Sequence, residues 1–221
     1  MNFIGHVTVA LWTSSVPGFV LGSMLPDLVG MAGLRLPRDL PAGPLAAGIA
    51  HHHATDAVFH SDATFVELTQ ATLDRLSALG VPRGPARAVA HVGVEMLLDG
   101  ELLKDSVVVE AYERALDELN SARALFAGHA DRVRWSSFEQ RLRAHGTPHD
   151  YRNTDAVLAR LIRIFQGRTR LAIEPPSERI VRSALPDLQR DVVAKAPHLL
   201  ANLRRQLENI AGPDIDAILA G

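Results

Sequence analysis

The amino-acid sequence predicts an all-α fold, a single multi-helix bundle, from three observations. Apolar residues recur at spacings of three and four, as in Phe65, Leu68, Leu76 and Leu79 or Tyr112, Leu116 and Leu119, the repeat that gathers them on one face of a helix. No stretch alternates apolar and polar side chains with the β-branched content of a strand. The connections between helical runs are short, so residues 1–221 read as one all-helical domain. Within it, residues 1–104 form a half rich in metal-binding side chains, and residues 105–221 supply packing and substrate-facing helices.

Taken in order, residues 3–12 form a short buried helix whose one ionisable side chain is His6, a residue that on such a helix is most simply a hydrogen-bonded core histidine. Pro17 starts the next helix, since its missing N–H is no loss in a first turn. That run ends near Pro26, leaving Asp27 at a helix C-terminus, where the macrodipole opposes a carboxylate unless a cation or donors offset it. Residues 30–44, rich in Gly, Pro and Leu, form a loop. A helix over 45–60 follows, and Ser61 or Asp62 can cap its successor. Residues 86–104 form another helix, and 107–126 a long amphipathic one through Tyr112 and Leu119. Further helices centre on Trp135 and Phe138 and on 155–165, with His145 to Tyr151 as a loop between them. Pro175-Pro176 precedes two terminal helices, 177–195 and 197–208, and a short tail from Pro213.

Composition narrows the function. Apolar residues make up 47% and charged residues 22% of the chain, the proportions of a soluble globular protein rather than a disordered one. A net charge of -2 provides no basic field for a nucleic acid. The absence of cysteine excludes disulfides, thiolate metal sites and thiol nucleophiles, and fits a cytoplasmic location. Residues 1–34 carry only Asp27 as a formal charge, yet they lack the positive start of a signal peptide, and His6, Thr13, Ser14, Ser15, Pro17 and Gly18 interrupt them too often for a membrane span. A buried helical hairpin is expected there.

Two stretches carry the chemistry. In the first, His52, Asp56 and His60 recur at every fourth position; in the second, His91, Glu95 and Asp99 do the same. On helices, such spacing stacks three side chains along one face. A single pair of this kind is commonly a surface ion pair, but both ladders lie in apolar segments, where buried ionisable groups need a partner or a cation. Eight residues of helix rise about 12 Å, too far for one ion to meet all three groups, so two metals, or one metal and a substrate contact, are expected.

The opening Met1-Asn2-Phe3-Ile4-Gly5-His6 resembles the amino terminus of the acyl carrier protein phosphodiesterase family, and further segments follow in the family's order. Gly22 and Asp27 fit its glycine and aspartate after the first helix. His52 with Asp56 fits its histidine and aspartate, and Glu95 before Met96-Leu97-Leu98 fits its acidic residue before a leucine. The resemblance covers residues 1–104. Beyond them it rests on helix order and on Arg168, after a helix. It implies an all-α fold related to HD-type metal-dependent phosphohydrolases, and removal of 4′-phosphopantetheine from acyl carrier protein with a divalent metal. Where this chain has His60 and His91 the family usually has aspartates, a change that favours zinc or iron over manganese. The family's arginine after the ladder histidine is absent, since His53 precedes Ala54. Loop arginines Arg35, Arg38, Arg83 and Arg87 are candidates for a patch meeting an acidic carrier protein.

The reading that follows is a phosphoester hydrolase or phosphodiesterase holding one or two ions of zinc, iron or manganese. Its expected metal ligands are His6, Asp27, His52, Asp56, His60, His91 and Glu95. Asp99 or His53 is expected to move protons, and Arg168 to meet the substrate phosphate. The alternatives are a di-iron oxygenase on a related scaffold, or a non-enzymatic binding module whose polar ladders specify packing.

Overall fold

Residues 1–210 are described by a computed structural model; the tail from Pro213 lies outside them. The chain runs through α1 (Phe3–Ala10), α2 (Pro17–Met31), α3 (Pro44–Ser61), α4 (Ala63–Ala78), α5 (Arg83–Ala88), α6 (Val94–Leu102), α7 (Ser106–Asp117), α8 (Leu119–Arg123), α9 (His129–His145), α10 (Thr154–Phe165) and α11 (Pro175–Ile210). A π-helical turn, Val89–Gly93, joins α5 to α6, and a 3₁₀ turn, His149–Arg152, precedes α10. There is no strand among the described residues.

Every residue of α1 is buried, and it packs against α2, α3, α6 and α7. The apolar set around it extends without a break from Met1 to Leu203 and includes Phe19, Met24, Tyr112 and Trp135. A helix so enclosed must satisfy its leading N–H groups inside the protein. Asn2 makes no side-chain cap, and the Asp99 carboxyl group does so instead, accepting from Ile4 N at 3.2 Å and Gly5 N at 2.8 Å. Three later helices follow the local rule: Asp62 caps α4 through Thr64 N, Asp105 caps α7 through Val107 N, and Asn153 caps α10 through Asp155 N and Ala156 N.

Four boundaries differ from the sequence-based expectation. Helix α2 continues through Pro26, so Asp27 lies inside it; buried Leu25, Leu28 and Val29 on either side hold the helix together despite the lost hydrogen bond. The run over 86–104 is interrupted by the π turn rather than uniformly α-helical. The run over 107–126 breaks at Glu118 into α7 and α8. The two terminal helices are one, α11, which passes through Pro186 and Pro197 and is braced by packing on α3, α4, α6 and α10. Leu79, expected on the packing face of α4, is 52% exposed.

The closest helix contact is between α2 and α3. A Cβ added at Gly22 would lie 2.2 Å from Leu45 O and 2.9 Å from Gly48 Cα, and one at Gly48 would lie 2.2 Å from Phe19 O. Backbone faces backbone on both sides, so no rotamer change can make room. Gly48→Ala is therefore expected to cost about 1–3 kcal/mol or more through overpacking, and to lower the thermal midpoint by roughly 2–4 °C per kcal/mol. Calorimetry or circular dichroism reads this, and an unchanged midpoint would refute the contact.

Candidate metal centre

The α2–α3 contact places His52, one turn beyond Gly48, beneath α2. Its Nδ1 lies 2.8 Å from Ser23 O. A carbonyl can only accept, so Nδ1 donates, and the neutral ring turns its Nε2 lone pair toward Asp56 Oδ2, 3.5 Å away. This is how a backbone carbonyl orients a metal-binding imidazole. From α1, His6 brings its ring face to face with His52 at 4.0 Å between centroids, and its Nε2 lies 3.2 Å from Asp56 Oδ1. One donor atom from each of His6, His52 and Asp56 falls within 4.8 Å of the others.

His6 is fully buried, yet neither ring nitrogen has a hydrogen-bond partner of acceptable geometry. It is thus a core histidine without the hydrogen bond expected of one. Orphaned buried nitrogens are costly, and a cation shared with His52 and Asp56 satisfies Nε2, so the residues present fit a metal ion.

A second set lies beside the first. His60 Nε2, from α3, and His91 Nε2, from the π turn, both lie 3.2 Å from Glu95 Oε1 on α6. The two imidazoles are parallel within 3° at 5.1 Å, and Phe65 from α4 sets its edge or face against each at 5.4 Å. His60 Nδ1 lies 2.9 Å from Asp56 O and must donate to it, which directs Nε2 at Glu95. At the boundary between the sets the Met1 backbone nitrogen is 2.8 Å from Asp56 Oδ1, 3.5 Å from His60 Nε2 and 3.6 Å from Glu95 Oε1. Asp27, from α2, faces His6 Nε2 at 3.9 Å.

The electrostatics favour a ligand-ready state. Burial opposes ionisation of Asp56, but the His6 ring nitrogen 3.2 Å away and the hydrogen bond from the Met1 nitrogen outweigh it and hold the carboxyl well below the usual range. Burial likewise opposes ionisation of Glu95, and bonds from His60 and His91 override it, to about 2. Burial pushes His6 down to about 4 and lowers His52 as well, whereas the bond to Glu95 raises His60 against burial. Burial lifts Asp27 to about 7. At neutral pH the inner set thus offers a carboxylate and two neutral imidazoles, the protonation states a divalent ion requires.

All seven expected ligands therefore meet in one region, and the other expected site residues lie outside that donor set. Asp99, expected to move protons, shares the ladder spacing of Glu95, yet it is fully buried with both oxygens taken by the α1 backbone, so it serves as the cap of that helix. His53 is exposed on α3 and meets the cluster only edge-on to the His52 ring, at 5.3 Å. Arg168 is exposed beyond α10, its guanidinium over the Phe165 ring at 5.8 Å, and among the described residues no hydrogen bond or ion pair joins it to the cluster. Arg35 and Arg38 lie on the α2–α3 loop and Arg83 and Arg87 on α5, all exposed. Sequence reasoning missed the Ser23 carbonyl, the Met1 nitrogen and Phe65. Only the glycine at each side of the α2–α3 contact hinted at the first, and nothing local marked the others.

Asp99→Ala would orphan two buried N–H groups, at about 1–3 kcal/mol each, and is expected to lower the urea midpoint accordingly. Burial raises the Asp99 pKa well above the ordinary value, so the folded state holds this proton more tightly than the unfolded one. The stability it contributes is complete below about pH 4, the unfolded value, and declines as pH rises toward the folded value. Asp99→Asn cannot ionise, so the stability gap between wild type and this variant is expected to narrow as pH rises above about 4; a widening gap would refute the assignment.

No family model, curated protein or solved structure matches the chain, so the functional reading rests on the residues and geometry described above.

Proposed function

We propose that the chain is a metal-dependent hydrolase of phosphoric esters. The observation that carries this reading is the convergence of buried His6 and His52 with half-buried Asp56, in which two neutral imidazoles and an ionised carboxylate face one another and the His6 nitrogens lack hydrogen-bond partners. A divalent ion held there supplies a Lewis acid that acidifies water and polarises a phosphoryl oxygen. Asp27 flanks His6 from the α2 side, 3.9 Å away, and is placed to complete the donor set.

The chain's own groups define how a substrate arrives. His6 is closed off by α1 and α2 and His52 is nearly so, whereas His60 and His91 have side chains 34% and 47% exposed, so the open flank is the one they form. The order of amino-terminal segments resembling acyl carrier protein phosphodiesterases supports the same reaction class on an HD-type bundle, with a phosphopantetheinylated carrier protein as the finer form of the proposal. The four histidines also suit a di-iron oxygenase, a reading that a stoichiometric iron pair with a ferric absorption band would favour.

Protein purified without chelator is expected to contain metal and, with zinc, manganese, iron or magnesium supplied, to cleave bis(p-nitrophenyl) phosphate or p-nitrophenyl phosphate. Asp56→Ala is expected to lose metal and at least about 100-fold in turnover, the upper end of what removing only a ligand's hydrogen-bond partner costs. Holo acyl carrier protein, assayed by release of phosphopantetheine, tests the finer substrate. Absence of turnover on every phosphoester with all four ions would overturn the proposal.

A further inference from the structure

We infer that His60, His91 and Glu95 form a second cation site, separate from the triad of His6, His52 and Asp56, that takes a zinc-like ion and exchanges it faster than that inner site does. The inference rests on reading the cavity as a metal centre, but stoichiometry decides it, not hydrolysis.

In a tetrahedral zinc site with bonds of about 2.0–2.1 Å, neighbouring donor atoms stand roughly 3.3 Å apart. Both imidazole Nε2 atoms lie 3.2 Å from Glu95 Oε1, and one donor atom from each of the three residues falls within 4.8 Å of the others. The set is two imidazoles and one carboxylate, a composition that binds zinc while leaving a coordination position open, and its nitrogen content favours late transition ions over magnesium or manganese.

The groups are held from outside the site. The Asp56 carbonyl accepts from His60 Nδ1, fixing that ring, and Phe65 supports both imidazoles. His91, in the π turn and four residues before Glu95, reaches the same carboxylate oxygen as His60, on a different helix.

The imidazoles of the two sites differ in exposure, although the carboxylates do not follow them, Asp56 being 31% and Glu95 12% exposed. The His6 side chain is fully buried and that of His52 is 4% exposed, whereas those of His60 and His91 are 34% and 47% exposed. An ion on the outer triad can leave through solvent without moving α1 or α2.

The test uses the full chain, stripped with chelator and titrated with Zn²⁺ by calorimetry and with Co²⁺ by visible absorption, alongside His91→Ala and Glu95→Gln. His91 is half-exposed, so its alanine variant is expected to fold, and circular dichroism checks this. Wild type is expected to bind two equivalents, the second at least tenfold more weakly, and to show a second Co²⁺ absorption step; both variants are expected to keep the first equivalent and lose the second. One equivalent in wild type and in both variants would overturn the second site and leave the hydrolase proposal standing, the three side chains then being a hydrogen-bonded group only. Two equivalents retained in both variants would also overturn it, because the second ion would lie elsewhere. No bound ion in wild type would overturn both readings, while two equivalents without phosphoester cleavage would uphold the second site and count against the hydrolase.

Discussion

The near-contact of the α2 and α3 backbones at Gly22 and Gly48 is the constraint on which the site depends. Because neither helix carries a Cβ at the crossing, Ser23 O comes within 2.8 Å of His52 Nδ1 and becomes the acceptor that fixes the imidazole. Any side chain there would force the helices apart, and Asp27 on α2 would move away from the residues on α3. The same approach encloses His6, so the desolvation that keeps its ring neutral follows from the glycine pair as well.

A second constraint holds α1 in place. A fully buried helix with no side-chain cap of its own would leave several donors unsatisfied, and Asp99 takes two of them from a distant part of the sequence. Asp99 and Glu95 lie one turn apart on α6, yet one is consumed by backbone and the other by imidazoles. The difference is depth: Asp99 lies under the first turn of α1, whereas Glu95 is beside the half-exposed rings of His60 and His91. Spacing placed them on one face of a helix, and the neighbours along that face assigned them different work.

The charges in the cavity are interdependent. Two ionised carboxylates, Asp56 and Glu95, are balanced by histidines and by the Met1 nitrogen, and each depends on its partners to stay ionised against burial. Histidines at positions 60 and 91 bring nitrogen donors to Glu95 without adding negative charge to the cavity. A dinuclear centre here would accordingly draw on nitrogen as much as oxygen.

Helical periodicity in the chain was enough to establish that the protein is built of helices without strands, where most of them begin, and that seven ionisable residues of the first half are candidates to act together. Those features are local: a repeat of three and four residues, a proline in a first turn, an Asp or Asn before an apolar run. The continuity of α11 through two prolines, the split between α7 and α8 and the π turn at His91 were not readable, because packing against distant helices overrides local preference there. Nor could spacing distinguish Asp99 from Glu95, or foresee that His6 would be buried without a hydrogen bond. Which polar group reaches which partner depends on how closely helices remote in sequence approach, and its protonation on how much water that approach removes; only the packed bundle decided both.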